Sequence, residues 1–279
     1  MCVIWGIPYL MIRVAVRELA PVTLVFLRTG LAALLLVPLA ARRRELRPLV
    51  ARWRPLLVYT AIEVALPWVL LSHAETKLTS SLTGLLIAAV PLVGALIVSL
   101  SGERVRLGGR RWAGLLVGLF GVAAIVGLDL GHLDVLALVE IALVAICYAV
   151  GPIILARYLN GVPALGVVAA SLALTAIAYA PLAATSWPSQ MPSAHVVESV
   201  VGLAVVCSAA AFLLFFALIA EVGPVRATVI TYVNPAVAAV VGVLLLNEHL
   251  TAGMVLGFAL VLAGSVLATG RTPEAVPEP

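Results

Sequence analysis

Charged side chains are scarce in this chain. Asp, Glu, Lys and Arg make up 11% of its 279 residues, where a soluble domain carries about 25%. Apolar residues fill 63% of it and the mean hydropathy is +1.19. That balance excludes an ordinary soluble domain and makes the bilayer the solvent to reason with. Cysteine is rarer still. Cys2, Cys147 and Cys207 form no CxxC pair and their number is odd, which excludes a disulfide framework. Cys147 and Cys207 lie in apolar runs and read as small packing residues. The phosphate-cradling patterns GxxxxGKS and GxxxxGKT are missing, which argues against ATP-driven work by this chain. No HExxH or Cys/His cluster has metal-ligand spacing, so no metal or cofactor is expected. Asp129, His132 and Asp134 are close in sequence but read as a short outer loop rather than a metal site. The net charge of +4 is not read as a nucleic-acid surface; it asks which side of a membrane the arginines occupy. No basic n-region precedes the first apolar run, so no cleavable signal peptide is expected.

Long apolar runs take up nearly everything else. A spanning helix needs roughly 20 mostly apolar residues. Ten runs qualify or come close: 1–16, 22–41, 56–71, 80–100, 112–128, 133–155, 163–184, 196–220, 225–246 and 251–268. Arg42, Arg43, Arg44, Arg47, Arg52 and Arg54 lie between the second and third runs. Arg104, Arg106, Arg110 and Arg111 follow the fourth, Arg157 the sixth, Arg226 the eighth and Arg271 the tenth. Ten crossings place all of these on one side, leaving Arg13, Arg17 and Lys77 on the other. The positive-inside rule then puts the arginine-rich side and both termini in the cytoplasm of a cell with this protein in its plasma membrane. The tail "RTPEAVPEP", 271–279, is expected to be disordered.

Two stretches repeat. "AAVPLVGALIVSLSGERV" resembles "TYVNPAVAAVVGVLLLNEHL": Pro91 and Pro235 each precede a dozen or so mostly apolar residues and a carboxylate, Glu103 and Glu248. The next runs match as well, with Gly114 and Gly121 seven apart, as are Gly257 and Gly264. The chain reads as five helices repeated, over 1–130 and 131–270. Five is odd, so the second copy enters from the opposite side, an inverted repeat of the kind secondary transporters use. The fold expected is an all-α membrane protein of ten transmembrane helices in two inverted five-helix repeats.

Several segments carry a family resemblance. "WGIPYLMIRVAV", "FLRTGLAALLLVPL", the proline-to-carboxylate stretches with Gly102-Glu103-Arg104 and Asn247-Glu248-His249, and the glycine-rich fifth and tenth runs resemble the EamA family of the drug/metabolite transporter superfamily. The resemblance covers nearly the whole chain. It implies a ten-helix transporter with a central cavity lined by spans one to four and six to nine, often exporting amino acids or other small metabolites. Asn247 departs from the repeat, standing where the first copy has Gly102, and Glu63 and Glu140 fall outside the motifs.

Charges inside apolar runs are costly, roughly 2.5–3.5 kcal/mol each on insertion scales. Arg28, Glu63 and Glu140 are such charges. Arg28 and Glu140 both fall roughly 10 Å below the outer surface at about 1.5 Å rise per residue. They could pair, or Arg28 could grip a solute carboxylate bidentately, or it could be a structural anchor. Glu140 and Glu63 are proton-coupling candidates, since a carboxyl in an apolar pocket titrates nearer neutrality; each could instead be a hydrogen-bonded structural acid. Trp5, Tyr9, Trp68, Tyr148, Tyr232 and Asn234 are candidates to line the cavity, against the alternative of packing. Trp112 and Trp187, near span ends, read as interfacial. Pro91 and Pro235 are candidate hinges or tolerated kinks. Gly114-x-x-x-Gly118 and Gly253-x-x-x-Gly257 permit close helix approach, within a monomer or across a homodimer. Glu248 and His249 read as a helix end at the interface. The function expected is a secondary carrier, an exporter of a small-molecule solute by alternating access; the alternative is an intramembrane lipid-modifying enzyme.

Overall fold

The computed structural model describes residues 1–100, 109–127, 134–223 and 230–269. Gly102, Glu103, Arg104, Arg106, Asp129, His132, Arg226, Arg271 and the tail lie outside the described residues. Within them the chain is helical and has no strand. Eight helices are long and apolar enough to cross a membrane. They are α2 (Pro21–Arg42), α3 (Trp53–Ala74), α4 (Ser80–Leu100), α5 (Gly109–Gly127), α6 (Val135–Tyr158), α7 (Ala164–Thr185), α8 (Ala194–Val222) and α10 (Ala252–Thr269). Two shorter apolar helices, α1 (Cys2–Ala15) and α9 (Ile230–Leu246), stand at the remaining places. α3 begins earlier than the apolar run alone suggests, because Arg54 and Pro55 fall in its first turn, where proline's missing N–H leaves nothing unpaired. Large apolar side chains face outward, Leu34 73% exposed and Leu244 71%. Facing water, such a surface would be heavily penalised; facing lipid it is ordinary.

The packing pairs the two halves. α2 lies on α7, α4 on α9 and α5 on α10. The other contacts between halves also come in matched sets: α3 on α6 and α8 on α1, α3 on α7 and α8 on α2. The α5–α10 contact explains the glycines spaced by seven. A Cβ on Gly264 would stand 2.5 Å from the Gly118 nitrogen and 2.6 Å from the Gly114 oxygen, and one on Gly121 would stand 2.7 Å from the Gly257 oxygen. The glycines therefore let two backbones touch within one chain.

Several helices are interrupted. α1 breaks at Ile7, before Pro8, and α4 at Ala88 and Ala89, just ahead of Pro91. Pro235, by contrast, sits inside an unbroken α9. The two prolines of the repeat are thus not alike: one adjoins a break and the other is carried through a continuous helix. α3 and α8 each contain a π-helical stretch, Thr60–Ala65 and Gly202–Ala210. In α3 the cause is legible, since Pro67 follows within two residues and cannot donate back into the ladder.

Outside the apolar layer, Glu18 ties the α1–α2 turn to the start of α8. Its carboxylate accepts from the Ser193 backbone N–H and hydroxyl, both at 2.7 Å. Those donors hold the carboxyl below the usual carboxylate range. A lowered pKa in the folded state means that the bonds stabilise the fold above the ordinary value of about 4.3 and cease to do so as pH falls through the folded value. The thermal advantage of wild type over Glu18→Gln is therefore expected at pH of about 6 and should vanish towards about 3; a difference that stays constant would show that the carboxylate contributes no charge-dependent stability. For the α5–α10 seam, Gly264→Ala gains about 1 kcal/mol of helix propensity but overpacks against backbone, at about 1–3 kcal/mol. The unfolding temperature in detergent should fall; an unchanged or raised value would mean the seam opens freely.

Candidate functional site

The most unusual group in the apolar layer is Arg28, two turns into α2 and buried. Its guanidinium carbon stands 3.7 Å from the centre of the Trp68 ring of α3, a cation–π contact. Its Nε donates to Ser208 Oγ of α8 at 3.0 Å. Ser208 has a use for both sides of its hydroxyl, because it donates in turn to the Leu203 carbonyl at 2.8 Å. Those residues are five apart, the spacing of the π-helical stretch, so the local distortion of α8 is what turns Ser208 towards Arg28. Among the described residues Arg28 makes no ion pair and no other hydrogen bond. The pairing of Arg28 with Glu140 is not made.

Glu63 approaches from the π-helical stretch of α3. Its Oε2 is buried and has no hydrogen-bond partner among the described residues. It fits because Gly151 of α6 has no side chain; a Cβ there would overlap the Glu63 carboxyl group. α7 holds the distorted turn in place. The Thr60 hydroxyl donates to Ser171 Oγ at 3.0 Å, and the Tyr179 hydroxyl to the Ala65 carbonyl at 3.1 Å. Tyr148 of α6 lies within electrostatic reach of Glu63 and Arg28, and Tyr9 of α1 within reach of Tyr148 and Arg28. Tyr9, Arg28, Glu63, Trp68 and Tyr148 therefore gather around one region, contributed by helices of both halves.

The remaining candidates go elsewhere. Trp5 packs on Phe215 and Phe212 of α8, with ring centres 4.7 and 5.9 Å apart. The Tyr232 hydroxyl lies 3.3 Å from Thr269 Oγ1 of α10, away from the Arg28 cluster. With its amide nitrogen facing carbonyl groups, Asn234 donates to Cys2 at 3.0 Å and Ile230 at 2.9 Å, which fastens α9 to α1. Glu140 meets His73 Nδ1 at 2.8 Å, and that histidine is 46% exposed at its side chain. Two open grooves contain none of the cluster: one of about 520 Å³ lies between α2 and α7, and one of about 500 Å³ between α7, the start of α3 and the segment before it; Val37 and Ala173 line both, as expected of a surface against acyl chains.

Glu248 proves to be more than a helix end. Asn247 takes a left-handed backbone, φ 54°, which turns the chain sharply after α9. Asparagine is among the few side chains that tolerate that region. Glu248 Oε1 then accepts from the Ser80 N–H at 2.8 Å and Oε2 from the Ser81 N–H at 2.8 Å, with both serine hydroxyls adding further bonds. The second half thereby caps the start of α4 in the first. Gly242 leaves the room, since a Cβ there would meet the carboxylate and both hydroxyls. Neither Ser208 nor the Ser80–Ser81 receptor stands out in the sequence, because a serine in an apolar run carries no signal of its own.

A helical chain with this many lipid-facing spans and polar groups turned inward is a multi-pass membrane protein. Its sequence matches the EamA-like transporter family over residues 1–127 and 135–270, and the chain belongs to that family. No curated protein matches it. A solved crystal structure overlays with a TM-score of 0.67 at 21% identity, covering 96% of this chain and 93% of that one, a likeness of fold.

The Glu63–Gly151 contact can be tested directly. Gly151→Ala should lower the unfolding temperature in detergent, by the equivalent of about 1–3 kcal/mol of overpacking. Adding Glu63→Ala should restore much of that loss. Strict additivity of the two substitutions would separate the residues.

Proposed function

We propose that the chain is a secondary carrier of small metabolites, amino acids foremost, working as an exporter by alternating access. In this reading all ten apolar helices cross the plasma membrane as two inverted five-helix repeats, with both termini cytoplasmic. The observation that carries it is the Arg28 site: a buried guanidinium, set on an indole face and a serine, without a carboxylate partner among the described residues. A cation at that depth with no carboxylate in contact is costly, Glu75 acting on it only from a distance, and a solute carboxylate would satisfy it bidentately. Trp68, Tyr148 and Tyr9 supply the apolar walls and polar contacts such a site needs. The site's position between halves suits a carrier, because rocking one half against the other would open it to either side. Trp5, Tyr232 and Asn234 act at the margins in this reading, in helix contacts. Pro91, beside the break in α4, is the hinge, with Pro235 in continuous α9 as its stiffer counterpart.

Of the two coupling candidates, Glu63 shares the site with Arg28, whereas Glu140 is engaged by His73. In proteoliposomes offered a labelled amino-acid panel from outside, uptake is expected to depend on this protein and to fall for anionic solutes in Arg28→Lys. The half-saturating concentration should rise about tenfold or more with loss of the fork. Glu63→Gln should remove dependence on a proton gradient while sparing counterflow, and Glu140→Gln should leave that dependence in place. Failure to move any solute, together with turnover of a lipid, would replace the carrier by an enzyme.

A further inference from the structure

Glu75 caps the end of α3 and is 0% exposed. Neither of its carboxylate oxygens has a hydrogen-bond partner among the described residues. Arg13 of α1 is the nearest cation by interaction, yet its Nη1 donates to the Glu75 backbone carbonyl, so that donor is not spent on the carboxylate. The other groups facing Glu75 are Arg28 from α2, Tyr9 from α1 and Glu248 from the turn after α9. His73, two residues earlier on α3, is taken by Glu140 of α6. Lys77, two residues later, is exposed.

The two neighbouring carboxylates are solvated in opposite ways. Glu248 receives two backbone N–H groups and two hydroxyls at the start of α4, a setting built for a negative charge. Glu75 receives no such bond in good geometry among the described residues, only a weak approach of the Arg13 backbone N–H. An ion buried without hydrogen bonds carries a penalty of several kcal/mol, which a neutral acid largely escapes. Burial without hydrogen bonds and the nearby Glu248 carboxylate both favour the neutral acid at Glu75, against the opposing pull of Arg13 and Arg28.

We propose that Glu75 is a proton-binding site, and that its neutral acid form keeps the Glu248 carboxylate latched onto Ser80 and Ser81. Loss of the proton to water at that end of the bundle leaves a second anion beside Glu248. Repulsion, and the need of the new charge for water, then draw the turn after α9 away from α4. This contact joins the two halves, so its release is a step that loosens one end of the bundle. The proposal does not depend on the carrier reading, and it can be tested with no solute present.

Spin labels at Lys77→Cys and His249→Cys, in a background with the three native cysteines replaced by alanine, would report the separation across the latch in lipid vesicles. A short, narrow distance is expected at pH of about 5, broadening towards about 9, the span in which buried carboxyl groups titrate. Glu75→Gln, which mimics the neutral acid, should stay narrow throughout. Glu248→Gln should be broad throughout. The same midpoint is expected in sodium and in choline chloride. Distances that ignore pH in wild type, a Glu75→Gln response equal to wild type, or a response set by sodium would each overturn the proposal. Infrared spectra supply a second reading: wild type at neutral pH should show the carbonyl stretch of a protonated carboxylic acid, part of which survives Glu63→Gln, the other buried acid with an unbonded oxygen, and is lost when Glu75→Gln is added. Absence of that band from wild type would overturn the proposal even were the variant to misfold.

Discussion

In hydrocarbon, a backbone amide or carbonyl that leaves its helix has no water to turn to. That constraint decides most of what is distinctive in this protein. A regular helix satisfies it alone, and the long apolar runs need nothing more. Every departure from regularity must be answered by a group from another helix or by a nearby side chain. The π-helical turn of α3 is answered by Tyr179 of α7, whose hydroxyl bonds the Ala65 carbonyl, and the start of α4 by Glu248 from beyond α9. In α8 the distortion is answered from within, where Ser208 bonds the Leu203 carbonyl and remains free to accept from Arg28.

Most of these answers cross from one half of the chain to the other. α3 and α4 belong to the first half, and the groups that complete them come from α7 and from the end of α9. The irregular places are therefore also the places where the halves are joined by directional bonds. The α5–α10 seam works differently. There, glycines let two regular backbones meet directly. A bundle with one glycine seam and several polar contacts between halves has places where movement is hard and places where it turns on a few hydrogen bonds. The Arg28 region lies among the latter, with Trp68 of α3 on one side and Ser208 of α8 on the other.

Much of the fold is legible in the order of the amino acids. The helices fall close to the apolar runs, because lipid demands length and hydrophobicity and little else. Arg28 and Glu63 are conspicuous because a charge inside such a run stands out. The glycines spaced by seven are conspicuous because a repeat shows by comparison with itself. Partners are a different matter. Arg28 and Glu140 sit at similar depth, yet the one bonds Ser208 and the other His73, since depth along a helix says nothing of the direction a side chain faces. Tyr232 is as suitable for a cavity as Tyr148 by its place in an apolar run, but it turns to Thr269.

The amino-acid sequence by itself determined that this chain lives in a membrane, where its helices run, and that its two halves are alike. Those properties follow from composition and order, which the bilayer reads one segment at a time. Only the tertiary structure decided which polar groups meet. It turned Glu248 from the end of one helix into the cap of another, and left Glu75 buried with neither carboxylate oxygen bonded among the described residues. Such outcomes depend on the rotation and register of helices far apart in sequence, and those are set by packing.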